Sequence, residues 1–297
     1  MYVFYITVEK TMRKFILIIL LFSFLILGCK NQETNNPVFT ASKDDGDWLI
    51  LKKEDISLGT YHTEHAKVFS KYISGYNTYI LNAIDLVQST ALNGGGYFAG
   101  IKADPPESPI GYNLYLFDKQ LLQAPRTTSY CSGSTYSVFI ESLNLMFKNK
   151  SETLSKKRYE SLRMQELDGG RREDTVKFWG KWNDNGYGNH YALVQYSGMG
   201  KRIYPINARP GDFLNISWKN GGGHSVIFLG WYINEENEKC VVYWSSQKST
   251  NGLGNSIAPI SKIREVMFIR LTSPENLFTF DVKKQVDRSV KGNSIDW

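Results

Sequence analysis

The chain has 297 residues, a formal net charge of +6, 42% hydrophobic and 22% charged residues. That balance is ordinary for a folded globular protein and is long enough for one large domain or two small ones. The mild positive charge comes with no dense Lys/Arg block, so it reads as a solvated basic surface and no nucleic-acid partner is expected.

The first legible element is an export segment. Met12-Arg13-Lys14 leads into FILIILLFSFLILG, an apolar run shorter than the roughly 20 residues a membrane-crossing helix needs, and then Cys29. The ending Ile26-Leu27-Gly28-Cys29 resembles the lipobox of bacterial lipoproteins. That resemblance implies a signal peptide over 1–28, cleavage before Cys29, and a lipid on its thiol as the anchor to a membrane. Lys30 follows, with no Asp there, which favours the outer over the inner membrane of a Gram-negative envelope. Residues 29–46 are polar and read as a tether. A folded domain is expected over 47–280, and a loose polar tail over 281–297.

From Glu64 to Leu92 apolar residues recur at helical spacing, at Val68, Tyr72, Tyr76, Ala83, Ile84 and Val87. One long helix is expected, weakened at Gly75 and closed by Asn93-Gly94-Gly95-Gly96. A Pro/Gly-rich loop region follows. Then TTSYCSGSTYSVFIESLN turns helical at Cys131, and Val138, Phe139, Leu143, Met146 and Phe147 fit one face. A charged helix is expected over 150–167, and aromatic loop over 168–196.

The last third changes period. Strands are expected at 211–218, 224–231, 240–246 and 267–271, with a short helix near 261–266 before the last. Helices first and an antiparallel sheet second is an α+β layout, with N-terminal helices packed on a C-terminal sheet. Cys240 sits in a strand-like run and reads as a small buried residue, not a disulfide partner of Cys131.

A thiol attacks carbonyl carbon as thiolate, and a helix start offers unpaired amides that favour the anion. Cys131 is therefore a candidate nucleophile, with its own N–H as a candidate oxyanion donor. Of four histidines, His224 is the best base, because it opens a strand just after Pro210-Gly211-Asp212-Phe213 and a triple glycine. Gln247 is the favoured group to orient its ring, with Ser245 and Ser246 open. Tyr130, Trp218 and Trp244 are candidates to line a substrate cleft. His62 and His65 lack the spacing of a metal site and read as a capping region, and His190 reads as a loop residue. No metal or organic cofactor is expected.

A helix-start Cys, then PGDF, then His opening HSVIFLGW resembles the papain-like superfamily, in particular the NlpC-type cell-wall cysteine peptidases and the CHAP amidases. The resemblance covers roughly residues 125–250. Ser129 and Tyr130 stand where those families carry Asp or Asn, and the Cys-to-His gap is long. It implies a papain-like fold, Cys131 as nucleophile, His224 as base, and peptidoglycan or another envelope peptide as substrate. Two other functions fit the same residues: an acyl transferase or transpeptidase sharing the thioester, and a non-catalytic envelope binding module.

Overall fold

The computed structural model describes residues 46–59, 64–104, 107–148, 150, 153–163, 178–179 and 185–297. The signal peptide, Cys29, the tether up to Asp45, His62 and most of 168–184 lie outside the described residues.

Helices come first: α1 (His65–Phe69), α2 (Asn77–Ser89), α3 (Cys131–Met146) and α4 (Lys156–Leu162). A small hairpin, β1 (Leu114–Leu116) with β2 (Lys119–Leu122), stands between α2 and α3. The sheet follows, with β3 (Gly200–Ile203), β4 (Phe213–Trp218), β5 (Gly223–Ile233), β6 (Lys239–Gln247), β7 (Gly252–Pro259) and β8 (Ile263–Leu271). Its order is β3-β8-β4-β5-β6-β7, and every neighbouring pair is antiparallel. The protein is α+β.

Strand alternation sorts the sheet into two apolar layers. Phe213, Ile227, Trp244, Met267 and Ile269 pack with the helices, including Ile80, Ile84 and Val87 of α2. Leu214, Ile216, Val226, Phe228 and Phe268 form a second layer on the opposite face. The expected long helix breaks in two. Gly75 takes a left-handed φ of 65°, and Asn93 at φ 51° with Gly94–Gly96, also at positive φ, closes the second piece. The helix expected at 261–266 is a single turn over Ile260–Lys262 that runs straight into β8. Residues 190–196, expected as loop, form a π-helix.

The tail is not loose. Asp287 and Gln195 exchange two hydrogen bonds, Gln195 Oε1 accepting from the Asp287 N–H at 2.6 Å and its Nε2 donating to the Asp287 carbonyl at 3.0 Å. Asn293 bridges Val266 of β8, and Trp297 stacks on Trp48 at 5.3 Å. Val282, Val286, Val290, Ile295 and Trp297 carry this segment back onto the domain despite its polar composition.

Gly133 explains part of the small-residue run around Cys131. A Cβ there would lie 1.9 Å from the Pro109 carbonyl oxygen, which is backbone and cannot swing away. Gly133→Ala is therefore expected to destabilise the fold by about 1–3 kcal/mol, the usual range for overpacking. Urea unfolding checks this, and a change under ~0.5 kcal/mol would refute the packing role.

Candidate active site

Cys131 is the first residue of α3, and Tyr130 before it is extended at φ −140°, ψ 175°. No side chain among the described residues caps this end, so the first-turn amides are unclaimed by a cap. The Cys131 carbonyl accepts from Ser134 Oγ at 2.9 Å and Thr135 Oγ1 at 3.1 Å. Those hydroxyls tie the helix start to the sheet. Thr135 Oγ1 lies 2.9 Å from Ser225 Oγ, the Ser246 N–H donates to Ser134 Oγ at 3.1 Å, and Ser246 Oγ donates to the Ser129 carbonyl. The Ser-rich run is thus a buried hydrogen-bonded seam more than open clearance for substrate.

His224 stands near the start of β5, and its ring Nε2 lies 3.4 Å from Gln247 Oε1 on β6. The Gln247 amide cannot be turned over, because its NH2 donates to the Gly254 carbonyl at 3.1 Å and to Thr250 Oγ1 at 2.7 Å. Oε1 is an acceptor only, so His224 Nε2 carries the proton in the neutral ring and Nδ1 is left as the basic nitrogen. Ser245 donates instead to the Ser225 carbonyl, so of the three candidates only Gln247 touches the imidazole. Tyr243 meets the ring edge-on at 5.5 Å.

The backbone N–H of Ser225, the residue after His224, points at the Cys131 sulfur. No hydrogen bond joins Cys131 to His224 among the described residues; Ser225 links nucleophile helix and histidine strand, through its amide and through its hydroxyl on Thr135. Burial pushes the Cys131 thiol up, against the opposing pull of the Ser225, Ser132 and Cys131 amides. Burial also pushes His224 down to about 4, with the Gln247 hydrogen bond working the other way. Desolvation therefore outweighs the helix start, and at rest Cys131 is a thiol and His224 a neutral imidazole. Iodoacetamide labelling of Cys131 is accordingly expected to accelerate with pH on into the alkaline range. A rate plateau near neutrality would instead reveal a stable ion pair.

Two residues not expected from sequence lie at this site. Burial raises the Tyr97 phenol, and the charge of a Cys131 thiolate adds to the rise. Tyr97 arrives there because its strand-like segment bridges Ser129 in parallel. Asn189, fully buried at the start of the π-helix, accepts from Ser225 Oγ at 3.3 Å, and its own amide NH2 makes no hydrogen bond among the described residues. The indole of Trp179 donates to Thr135 Oγ1, so the aromatic segment between Cys131 and His224 folds against the seam under the nucleophile. The sequence carries a hint of this only in the clustering of Asn and aromatic residues.

The expected aromatic lining needs correction. Trp244 is fully buried, and its indole N–H donates to Gln88 of α2, so it belongs to the core. Trp218 packs on the second apolar layer, on the sheet face away from α3. Tyr130 is buried as well, with a hydroxyl that has no hydrogen-bond partner among the described residues. His65 is buried between Asp85 Oδ1 at 2.9 Å and Asn255 Oδ1 at 2.7 Å, a structural link between α1, α2 and β7. His190 is buried too, and burial followed by the Arg202 charge holds it down near 4. Cys131 and Cys240 are both free.

No family model, curated protein or solved structure matches this chain. The case for a function therefore rests on the geometry of these residues.

Proposed function

We propose that the protein is a papain-like cysteine hydrolase that cleaves an amide bond in peptidoglycan peptides, held in the bacterial envelope by a lipid on Cys29. The observation that carries this reading is the His224–Gln247 pair. It is fixed on adjacent strands, and the backbone amide of the next residue, Ser225, reaches the cysteine at the helix start. In the reaction, Cys131 Sγ attacks the substrate carbonyl carbon while its proton passes to His224 Nδ1. The Cys131 N–H donates to the developing oxyanion, and the Tyr97 phenol, within reach of the Cys131 charge, is a candidate second donor. His224 returns the proton to the leaving amine, the C–N bond breaks, and a thioester remains. Water, deprotonated by His224, then releases the acid and restores the thiol. A resting pair without charge means that proton transfer accompanies attack.

That same neutral resting pair favours a second reading, a non-catalytic binding module in which Cys131 is an inert buried thiol. An acyl transferase would share every step up to the thioester. Release of soluble fragments from purified peptidoglycan, by wild type against Cys131→Ala, tests the first reading. Mass spectrometry with an added amine distinguishes transfer from hydrolysis, and no turnover of any kind leaves the binding module.

A further inference from the structure

Two surface grooves flank the C-terminal segment, and Ser294 lines both. Neither is lined by Cys131, His224 or Gln247. Their chemistry differs. One, of about 580 Å³, is lined by Lys219, Lys239 and Arg264 with Glu238 as the only acid, which suits an anion. The other, of about 530 Å³, is lined by Trp48, Tyr204, Asn293 and Asp296 among others, and by no Lys or Arg. The one charged side chain that lines it is Asp296, with the Arg202 guanidinium on Asn293 beside it, so it suits an anion less well than the first groove does. Aromatic rings beside amide and carboxylate groups suit a ligand with an apolar C–H face and a rim of hydroxyls. A pyranose has that shape.

The groove is also held rigid before any ligand arrives. Trp48 is stacked on Trp297 at 5.3 Å and meets Trp231 edge-on at 5.1 Å. Tyr204 is 44% exposed and is followed by Pro205 at the start of a short helical turn. Asn293 exchanges backbone hydrogen bonds with Val266 at 2.7 and 2.9 Å. Its Oδ1 takes the Arg202 guanidinium, and its NH2 makes no hydrogen bond among the described residues. Asp296 Oδ1 accepts from Ser294, and Oδ2 makes no hydrogen bond among the described residues. Side chains ordered in advance lose little freedom on binding.

We propose that this groove binds an uncharged glycan chain, with a pyranose face against Tyr204 and Trp48 and its hydroxyls on Asn293 and Asp296. The site does not depend on the reaction at Cys131. Calorimetric titration with hexamers of N-acetylglucosamine and of glucose tests it, using the whole exported chain. Saturable binding of at least one hexamer is expected, equal in wild type and Cys131→Ala, so that loss of hydrolysis and loss of binding separate. Tyr204→Ala should weaken it up to about tenfold, the scale of one lost aromatic contact, while Tyr204→Phe retains it. Asp296→Asn, which keeps the shape, gives a second reading if Tyr204→Ala fails to fold. The proposal is overturned if neither hexamer binds at millimolar concentration. It is also overturned if both variants bind as wild type does, or if a sulfated hexasaccharide binds instead and Lys239→Ala abolishes that binding.

Discussion

Cys131→Ala is expected to abolish release of soluble peptide fragments from purified peptidoglycan, and His224→Ala to lower it by about 10²–10⁴-fold, the range general acid–base groups contribute. The two losses differ in kind. Without the sulfur there is no thioester and no alternative path through the same site. Without the imidazole the nucleophile remains, so activity at high pH should partly return as hydroxide deprotonates the thiol. Gln247→Ala should fall between wild type and His224→Ala, because it frees the ring to take the wrong tautomer but leaves the base in place. It should also lower kcat more than it raises KM, since Gln247 orients the base and does not touch the substrate. Folding of each variant is checked by thermal unfolding. Full activity in Cys131→Ala or His224→Ala would remove the proposed chemistry altogether.

The elements that carry the candidate residues were legible in the sequence because their periodicity is strong. Cys131 begins a clean apolar helix, and His224 and Gln247 sit on runs that alternate as strands. What sequence could not supply was side-chain direction and burial. Trp244 reads as a neighbour of Gln247, yet alternation turns it inward to Gln88. Tyr97 and Asn189 come from loop-like text, one before α3 and one after it, and only the tertiary pairing with Ser129 and Ser225 brings them in. The expectation of a low thiol pKa considered the helix start alone, whereas closure of the site around Cys131 adds a desolvation that works against it. The tail was misread because its composition is polar overall. Its few apolar residues are spaced to anchor it, and Trp297 completes an aromatic cluster with Trp48 and Trp231.

The second large effect is on stability, and it arises from Asp212 of the Pro210-Gly211-Asp212 turn. Arg270→Met is expected to cost about 3–5 kcal/mol, the usual range for leaving one partner of a buried ion pair alone. Asp212 is fully buried and takes two parallel bonds from the Arg270 guanidinium, at 2.8 and 2.7 Å. It also accepts from the Arg209 N–H at 2.8 Å and from Asn77 at 2.9 Å. One carboxylate thereby joins the start of α2, the turn into β4 and the end of β8. Gly211 must be glycine for the same reason, since at φ 91° its Cβ would meet Asn77 at 3.1 Å. The Asp212 carbonyl accepts from the Phe228 N–H, so the joint also sets β5, the strand that carries His224. Asp212→Leu with Arg270→Met removes both charges, and this double variant is expected to be more stable than the sum of the single changes predicts. Urea midpoints for the two single variants and the double variant measure the coupling. A coupling below about 0.5 kcal/mol, within the error of additive sites, would mean that the two charges act independently.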